Sequence, residues 1–160
     1  MKVGVISDTH GTVHKAVFDV FNGAEHILHA GDIGDEDIIV ELETIAPVTA
    51  VHGNVDHFPI SSRYPSHQIV ELNGYKILLY HIPAFPKERW QDQLSKPGLA
   101  KDIRVIVNGH THMGEIDWQD QVMFLNPGSA KKGRHGAPRS VAILELPDKG
   151  WPAATIIKIE

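Results

Sequence analysis

Between Lys2 and His57 the chain repeats one pattern: a short apolar run, a glycine-containing polar turn that carries a carboxylate, imidazole or amide, and a segment with helical spacing. That alternation predicts parallel strands joined by right-handed helical crossovers, because a parallel neighbour needs a connection long enough to return over the sheet. Residues 2–7 (Lys-Val-Gly-Val-Ile-Ser) show no strict alternation and suit a strand buried on both faces; Asp8-Thr9-His10-Gly11 follows. Val17, Phe18, Val20 and Phe21 then give helical spacing over 14–21. Residues 25–30 read as a second strand into Gly31-Asp32-Ile33-Gly34-Asp35, and 36–44 as a helix burying Ile38, Ile39, Val40 and Leu42. A third strand over 48–51 ends at His52-Gly53-Asn54-Val55-Asp56-His57.

After Pro59 the pattern changes. Asn73-Gly74 separates the apolar runs 67–72 and 75–80, and this dipeptide favours the tight turn of an antiparallel hairpin. The second run ends at His81. A helix is expected over 87–96, stopped by Pro97-Gly98. The run 103–107 leads into Asn108-Gly109-His110-Thr111-His112, and 115–118 with 122–125 reads as another hairpin ending in Asn126-Pro127-Gly128-Ser129. Runs 140–145 and 154–159 close the sheet region after a basic loop, 131–139. No internal repeat or low-complexity segment is present.

Five strands thus end in groups able to ligate a metal: Asp8 and His10, Asp32, Asn54, His81, and His110 with His112. Neutral imidazole nitrogen and carboxylate oxygen are the donors left to a chain with no cysteine, which also excludes disulfides and a thiol nucleophile. Hydrophobic strands aligned in one or two packed sheets bring their ends to one rim. Seven donors exceed what one ion takes, and with one shared carboxylate they suit two ions about 3.5–4 Å apart, the spacing that clamps both oxygens in phosphoryl transfer. For each acidic turn the simpler alternative is a helix cap, by Asp8 or Thr9 for the first helix and Asp32 or Asp35 for the second.

In order and spacing these motifs, Asp8-X-His10, Gly31-Asp32, Gly53-Asn54, His81 and Gly109-His110-Thr111-His112, resemble the calcineurin-like metallophosphoesterase superfamily over nearly the whole chain. The short length and Asn126-Pro127-Gly128-Ser129 are most similar to its small prokaryotic phosphodiesterase branch. The resemblance implies an α/β fold of two packed mixed sheets flanked by helices. It also implies a first metal held by Asp8, His10, Asp32 and His112, and a second held by Asp32, Asn54, His81 and His110, with Asp32 as the bridge. Catalytic roles fall on Asn54, Asp32 and His10. The implied metal is manganese, with iron, zinc, nickel and cobalt also compatible with N/O ligation. A hydroxide between two such ions, its pKa lowered by their charge, would attack phosphorus in line, and Asn54 can orient a phosphate oxygen.

Two positions depart from the family pattern. Where many members place a proton-donating His after the Asn, this chain has Val55, which leaves Asp56 and His57 as the nearby candidates for a general acid. Ile82 stands where a Gly commonly follows the His matched to His81. The expected function is a metal-dependent phosphodiesterase acting on small or activated diesters; the alternative is a non-catalytic scaffold similar to the retromer subunit of this fold. Loss of the first-motif His or of the bridging Asp marks that group, and both His10 and Asp32 are present.

At 160 residues one domain is expected, and the absence of an eighteen-residue apolar run or signal peptide points to the cytoplasm. A net charge of −5 argues against long nucleic acid as a partner and is compatible with a small phosphorylated substrate. Oligomeric state has no signal. His14, His26, His29, His52, His67 and His135 read as surface or core-edge residues, Trp90, Trp118 and Trp151 as packing, and Arg134 with Arg139 as part of a solvated loop.

Overall fold

A computed structural model of the protein describes residues 1–82 and 102–160. The first three strands, β1 (Lys2–Ile6), β2 (His26–His29) and β3 (Val48–Ala50), lie side by side and parallel, as their crossovers require. Helices α1 (Ala16–Val20) and α2 (Asp37–Glu43) form those crossovers, and a single turn, α3 (Ile60–Arg63), follows the third motif. That turn was not anticipated, because four residues are too few to show a period. Next come the hairpin β4 (His67–Leu72) and β5 (Tyr75–Tyr80), then β6 (Ile103–Val107) and a second hairpin, β7 (Gly114–Gln119) and β8 (Val122–Pro127). The chain closes with β9 (Ser140–Glu145) and β10 (Ala153–Lys158). The helix expected over 87–96 lies outside the described residues.

Each sheet is mixed, with orders β10-β9-β1-β2-β3 and β4-β5-β6-β8-β7. In the first, β9 pairs antiparallel with β1; in the second, β5, β6 and β8 run parallel between antiparallel edge strands. Alternate residues of the two sheets meet in one buried cluster, Val3, Val5, Leu28 and Leu144 packing with Ile77, Leu79, Val105 and Leu125. Full burial of each such side chain is worth roughly 1.5–3 kcal/mol, which holds the sheets face to face. The first sheet's other face carries Ile27 and Val141 against Val17, Phe21, Ile38 and Leu42 of the helical side. Leu78, Tyr80, Ile106 and Phe124 form a separate cluster from the second sheet.

Val40, expected on the buried side of α2, is 61% exposed. At 100° per residue the stripe Ile38, Ile39, Leu42 is contiguous, whereas Val40 is rotated away from it. Trp118 and Trp151 are also half-exposed and meet edge to face, ring centroids 6.0 Å apart, rather than filling the core. Parallel β1, β2 and β3 all end at one rim, and β5 and β6 end together in the facing sheet. Those carboxyl ends deliver the five sequence motifs to a common place, where open sheets present their ligands.

Candidate metal centre

The loops leaving β1 and β2 are bonded to one another along their backbones. Asp8 N–H donates to Gly31 O at 3.0 Å, His10 N–H to Asp32 O at 2.9 Å and Gly11 N–H to Ile33 O at 2.7 Å. This pairing continues past the regular strands and fixes Asp8, His10 and Asp32 relative to each other. Gly109 N–H donates to His81 O at 3.1 Å, tying the β6 loop to the end of β5 in the same manner.

Both carboxylates are buried, and each has one oxygen held and the other presented. Asp8 Oδ2 accepts from Ser7 Oγ at 2.7 Å and from His110 N–H at 3.1 Å, while Asp32 Oδ1 accepts from Val55 N–H at 3.1 Å. The other oxygens face imidazoles. Asp8 Oδ1 lies 2.9 Å from His112 Nε2, 3.9 Å from His10 Nε2 and 4.0 Å from His81 Nε2. Asp32 Oδ2 lies 3.2 Å from His81 Nε2 and 4.0 Å from His10 Nε2.

Two of the imidazoles are oriented by a bond on their far nitrogen. His81 Nδ1 donates to Ala30 O at 2.7 Å and His112 Nδ1 to Lys132 O at 2.9 Å, so both present Nε2 inward. Backbone carbonyls of this kind set the tautomer of metal-ligating histidines. Asp8 Oδ1, His81 Nε2 and His112 Nε2 are buried without a hydrogen bond. Inward lone pairs crowded this closely repel one another, and a cation among them removes both the repulsion and the desolvation cost. The donor set therefore fits a metal ion.

Among the described residues two groups have metal-ligand spacing, Asp8-His10-His112 and Asp8-Asp32-His81. Asp8 is common to both, and Asp32 also faces His10 and His81. His110 and Asn54 lie outside these groups: the His110 ring stands edge-on to His81 at 5.3 Å between centroids, and Asn54 is exposed. Its neighbours nevertheless close on Asp32, since Val55 donates to that carboxylate and a Cβ on Gly53 would overlap Asp32 Oδ1. Only glycine lets that loop approach so closely. The same holds for Gly109, where a Cβ would overlap Ser7 Oγ.

Asp8, His10, Asp32, His110 and His112 all have φ between 43° and 69°. Positive φ is uncommon for residues other than glycine and carries a cost of about 1–3 kcal/mol each, so its concentration on five of the seven candidate ligands marks a functional site. Asp35 Oδ1 accepts the Asp37 N–H at 3.0 Å at the start of α2, the capping role the second turn offered, whereas Asp8, Thr9 and Asp32 are bonded to other groups.

Burial alone would push the His81 pKa down, but the carboxylates of Asp32 and Asp8 outweigh it and hold the value above the ordinary 6.5. Burial would likewise raise Asp32, yet the adjacent His81, the Val55 N–H and His10 hold it low. Partial burial, then His81 and Arg134, depress His110, which keeps its imidazole neutral. Asp32 as a carboxylate and His110 as a neutral base are in the states a metal requires.

Two residues support the site in ways the sequence did not disclose. His29, expected at the surface or core edge, is fully buried, its Nε2 hydrogen-bonded to Thr9 Oγ1 at 2.9 Å and its Nδ1 accepting from Gly31 N–H at 3.2 Å. It joins the first two motif loops from below. Burial pushes its pKa down to about 4, against a partial opposing pull from Asp56. Since the unfolded chain binds a proton there below 6.5 and the folded chain does not, stability should fall by roughly 3 kcal/mol as pH drops from 6.5 to 4. His26 and His110, also held low, add to that slope in the same direction. Denaturant unfolding across this range should show a shallower dependence in His29→Gln than in the parent; parallel curves would contradict the assignment.

Asp56 was a candidate proton donor. Its oxygens instead accept backbone N–H groups of Ile33 at 3.0 Å, Gly34 at 2.8 Å and Gly53 at 2.8 Å, so it clamps the second motif loop to the third. A short acidic side chain in a Gly-Asn-X-Asp turn commonly takes such backbone donors, and that was the available signal. Leaving three donors unmet, Asp56→Ala should lower unfolding stability by about 3 kcal/mol or more. A loss under 1 kcal/mol in chemical denaturation would count against the clamp.

Arg139, exposed as expected of a loop residue, lines an open groove with His10, Lys131 and Lys132. Arg134 Nη1 donates to His110 O at 3.2 Å.

Comparison with known proteins bears on the family and the fold. The calcineurin-like phosphoesterase superfamily domain matches residues 1–149. A probable metallophosphoesterase of Methanothermobacter thermautotrophicus is 40% identical over 152 residues, covering 91% of this chain and 86% of that protein. Phosphodiesterase YfcE of Escherichia coli K12 is 29% identical over 171 residues, covering 91% and 88%. Among solved structures, Vps29 from Entamoeba histolytica complexed with zinc superposes with a TM-score of 0.77 over 99% of both chains at 23% identity, a likeness of fold. The two-sheet architecture expected from the motifs is the one observed.

Proposed function

Because the chain belongs to the calcineurin-like phosphoesterase superfamily, we propose that it is a metal-dependent phosphodiesterase acting on small or activated phosphate diesters. The observation that carries this reading is the convergence of Asp8 Oδ1, His81 Nε2 and His112 Nε2, buried, unbonded and aimed at one another from three strand ends. Two divalent ions suit the set: Asp8, His10, Asp32 and His112 around one, Asp32, Asn54, His81 and His110 around the other. Manganese is the proposed metal, and iron, zinc, nickel or cobalt would accept the same donors. When bound, such ions supply Lewis acidity toward a phosphate oxygen and make a coordinated water acidic enough to attack phosphorus.

The chain's residues supply orientation. His81 and His112 are aimed by the carbonyls of Ala30 and Lys132, and Asp32 is aimed by the Val55 N–H. Asn54, exposed on the loop that closes over Asp32, is the residue we assign to hold a phosphate oxygen with its amide. His10, partly exposed at the rim, stands between the centre and the open groove. With Asp56 committed to backbone donors and Val55 unable to carry a proton, no side chain next to Asn54 except exposed His57 can protonate the leaving oxygen.

No helix among the described residues is long and apolar enough to cross a membrane. A single cytoplasmic domain meeting a small phosphorylated substrate, rather than a membrane or a long nucleic acid, completes the proposal. The rival reading is a non-catalytic scaffold that keeps the pocket. Elemental analysis of the purified protein, beside a panel of diesters and monoesters with and without manganese, separates them: metal-loaded protein that cleaves no diester would be a scaffold.

A further inference from the structure

Next to the metal centre, the open groove of about 790 Å³ is lined by His10, Lys131, Lys132 and Arg139. Three cations thus share one concavity on a chain whose net charge is −5, and none of them has an acidic partner among the described residues. Like charges left together without counter-charges repel, and an arriving anion relieves that repulsion.

Two of the three, Lys131 and Lys132, are tied to the centre by bonds to its ligands or their loops. Lys131 Nζ donates to His10 O at 3.0 Å, and the Lys132 carbonyl accepts from His112 Nδ1 at 2.9 Å. Ser129, fully buried, accepts the backbone N–H of Lys131 at 3.3 Å and of Lys132 at 3.0 Å, while its hydroxyl donates to Asp8 O at 3.1 Å. One buried hydroxyl therefore couples the lysine pair to the first metal-binding motif. The groove begins at His10, where the centre ends.

We infer that the groove receives a second phosphoryl group, so that the substrates are phosphate diesters with a further phosphate on the alcohol portion lying on the His10 side. The inference rests on the phosphodiesterase reading and names its substrate class. Hydrolysis itself is unchanged: water adds to the diester phosphorus, the ester P–O bond breaks, the alkoxide leaves with a proton, and the distal phosphate takes no part.

The test compares thymidine 5′-(4-nitrophenyl phosphate) with and without a 3′-phosphate, which share leaving group and scissile bond. In the manganese-loaded parent, kcat/KM should be about 10-fold higher for the 3′-phosphorylated compound, mostly through KM, as expected for a few partly exposed cations acting on one dianion. The Lys132→Ala/Arg139→Ala double variant should bring the ratio of the two values close to one; it leaves the Lys132 carbonyl and the Lys131 bond to the His10 loop in place. Calorimetric binding of thymidine 3′,5′-bisphosphate and thymidine 5′-phosphate gives a readout independent of turnover, with the same expected difference and the same loss. Equal binding of the two in the parent, or a ratio unmoved in the double variant while nitrophenolate is still released, would overturn the groove assignment and leave the phosphodiesterase reading standing. Release from neither compound, with the bisphosphate preference intact, would overturn that reading and keep the anion site.

Discussion

Asp32→Asn is expected to lower the rate on a nitrophenyl diester by more than about 10²-fold and to reduce bound metal per chain. Loss of a partner that merely orients a metal ligand costs 10- to 100-fold, and Asp32 presents its own Oδ2 directly to His81 at 3.2 Å and toward His10 at 4.0 Å. The amide has nearly the same shape. Its oxygen can still accept the Val55 N–H now bonded to Oδ1 at 3.1 Å, so the loop should keep its place. What disappears is the negative charge that would hold two cations close together, and the new NH₂ group can donate to the His81 Nε2 lone pair that a metal would otherwise take. Metal content by elemental analysis, rate at saturating manganese and unfolding midpoint should be measured on the same preparation. Unchanged stoichiometry and rate, with only a modest loss of stability, would mean that Asp32 serves the loops alone.

The second large effect concerns the leaving group. Proton donation to a leaving oxygen is typically worth 10²- to 10⁴-fold, and most when the alcohol is a poor leaving group. Val55 cannot donate, and Asp56 is held by three backbone N–H groups. Nitrophenyl diesters should therefore be cleaved readily and alkyl diesters slower by a factor approaching that range. Val55 is 44% exposed, so a His there has room to point into solvent or toward the centre. Val55→His is expected to flatten the plot of log rate against leaving-group pKa, helping alkyl diesters most. Equal metal occupancy is required for the comparison. A shallow slope in the parent would show that His57 or a water already supplies the proton, and the missing-donor argument would fall.

Much of the fold was legible because its elements are short and strongly patterned. Asn73-Gly74 between two apolar runs specified an antiparallel hairpin, and the observed register centres on that turn. Strand, turn and helix alternating through β3 specified parallel neighbours, since no short connection can join them otherwise. The misplaced side chains were those whose environment depends on distant partners. Val40 has the composition of a buried residue, and only the rotation of α2 against the first sheet leaves it exposed. His29 has the composition of a surface residue, and only the meeting of the first two motif loops above β2 gives its two nitrogens Thr9 and Gly31 as partners.

For the site, the sequence by itself determined which chemistry was possible: no thiol, carboxylates, imidazoles and one amide at five strand ends, and a valine where a proton donor often stands. Those are properties of residue type and order along the chain. The tertiary structure decided which oxygen of Asp8 and Asp32 is spent on a backbone or hydroxyl donor and which is presented, that Asp56 is a clamp, and that Lys131, Lys132 and Arg139 form a groove beside His10. Each depends on a hydrogen bond or contact between segments far apart in the chain. Whether a polar atom is satisfied is settled by what folds against it, and no local pattern encodes that.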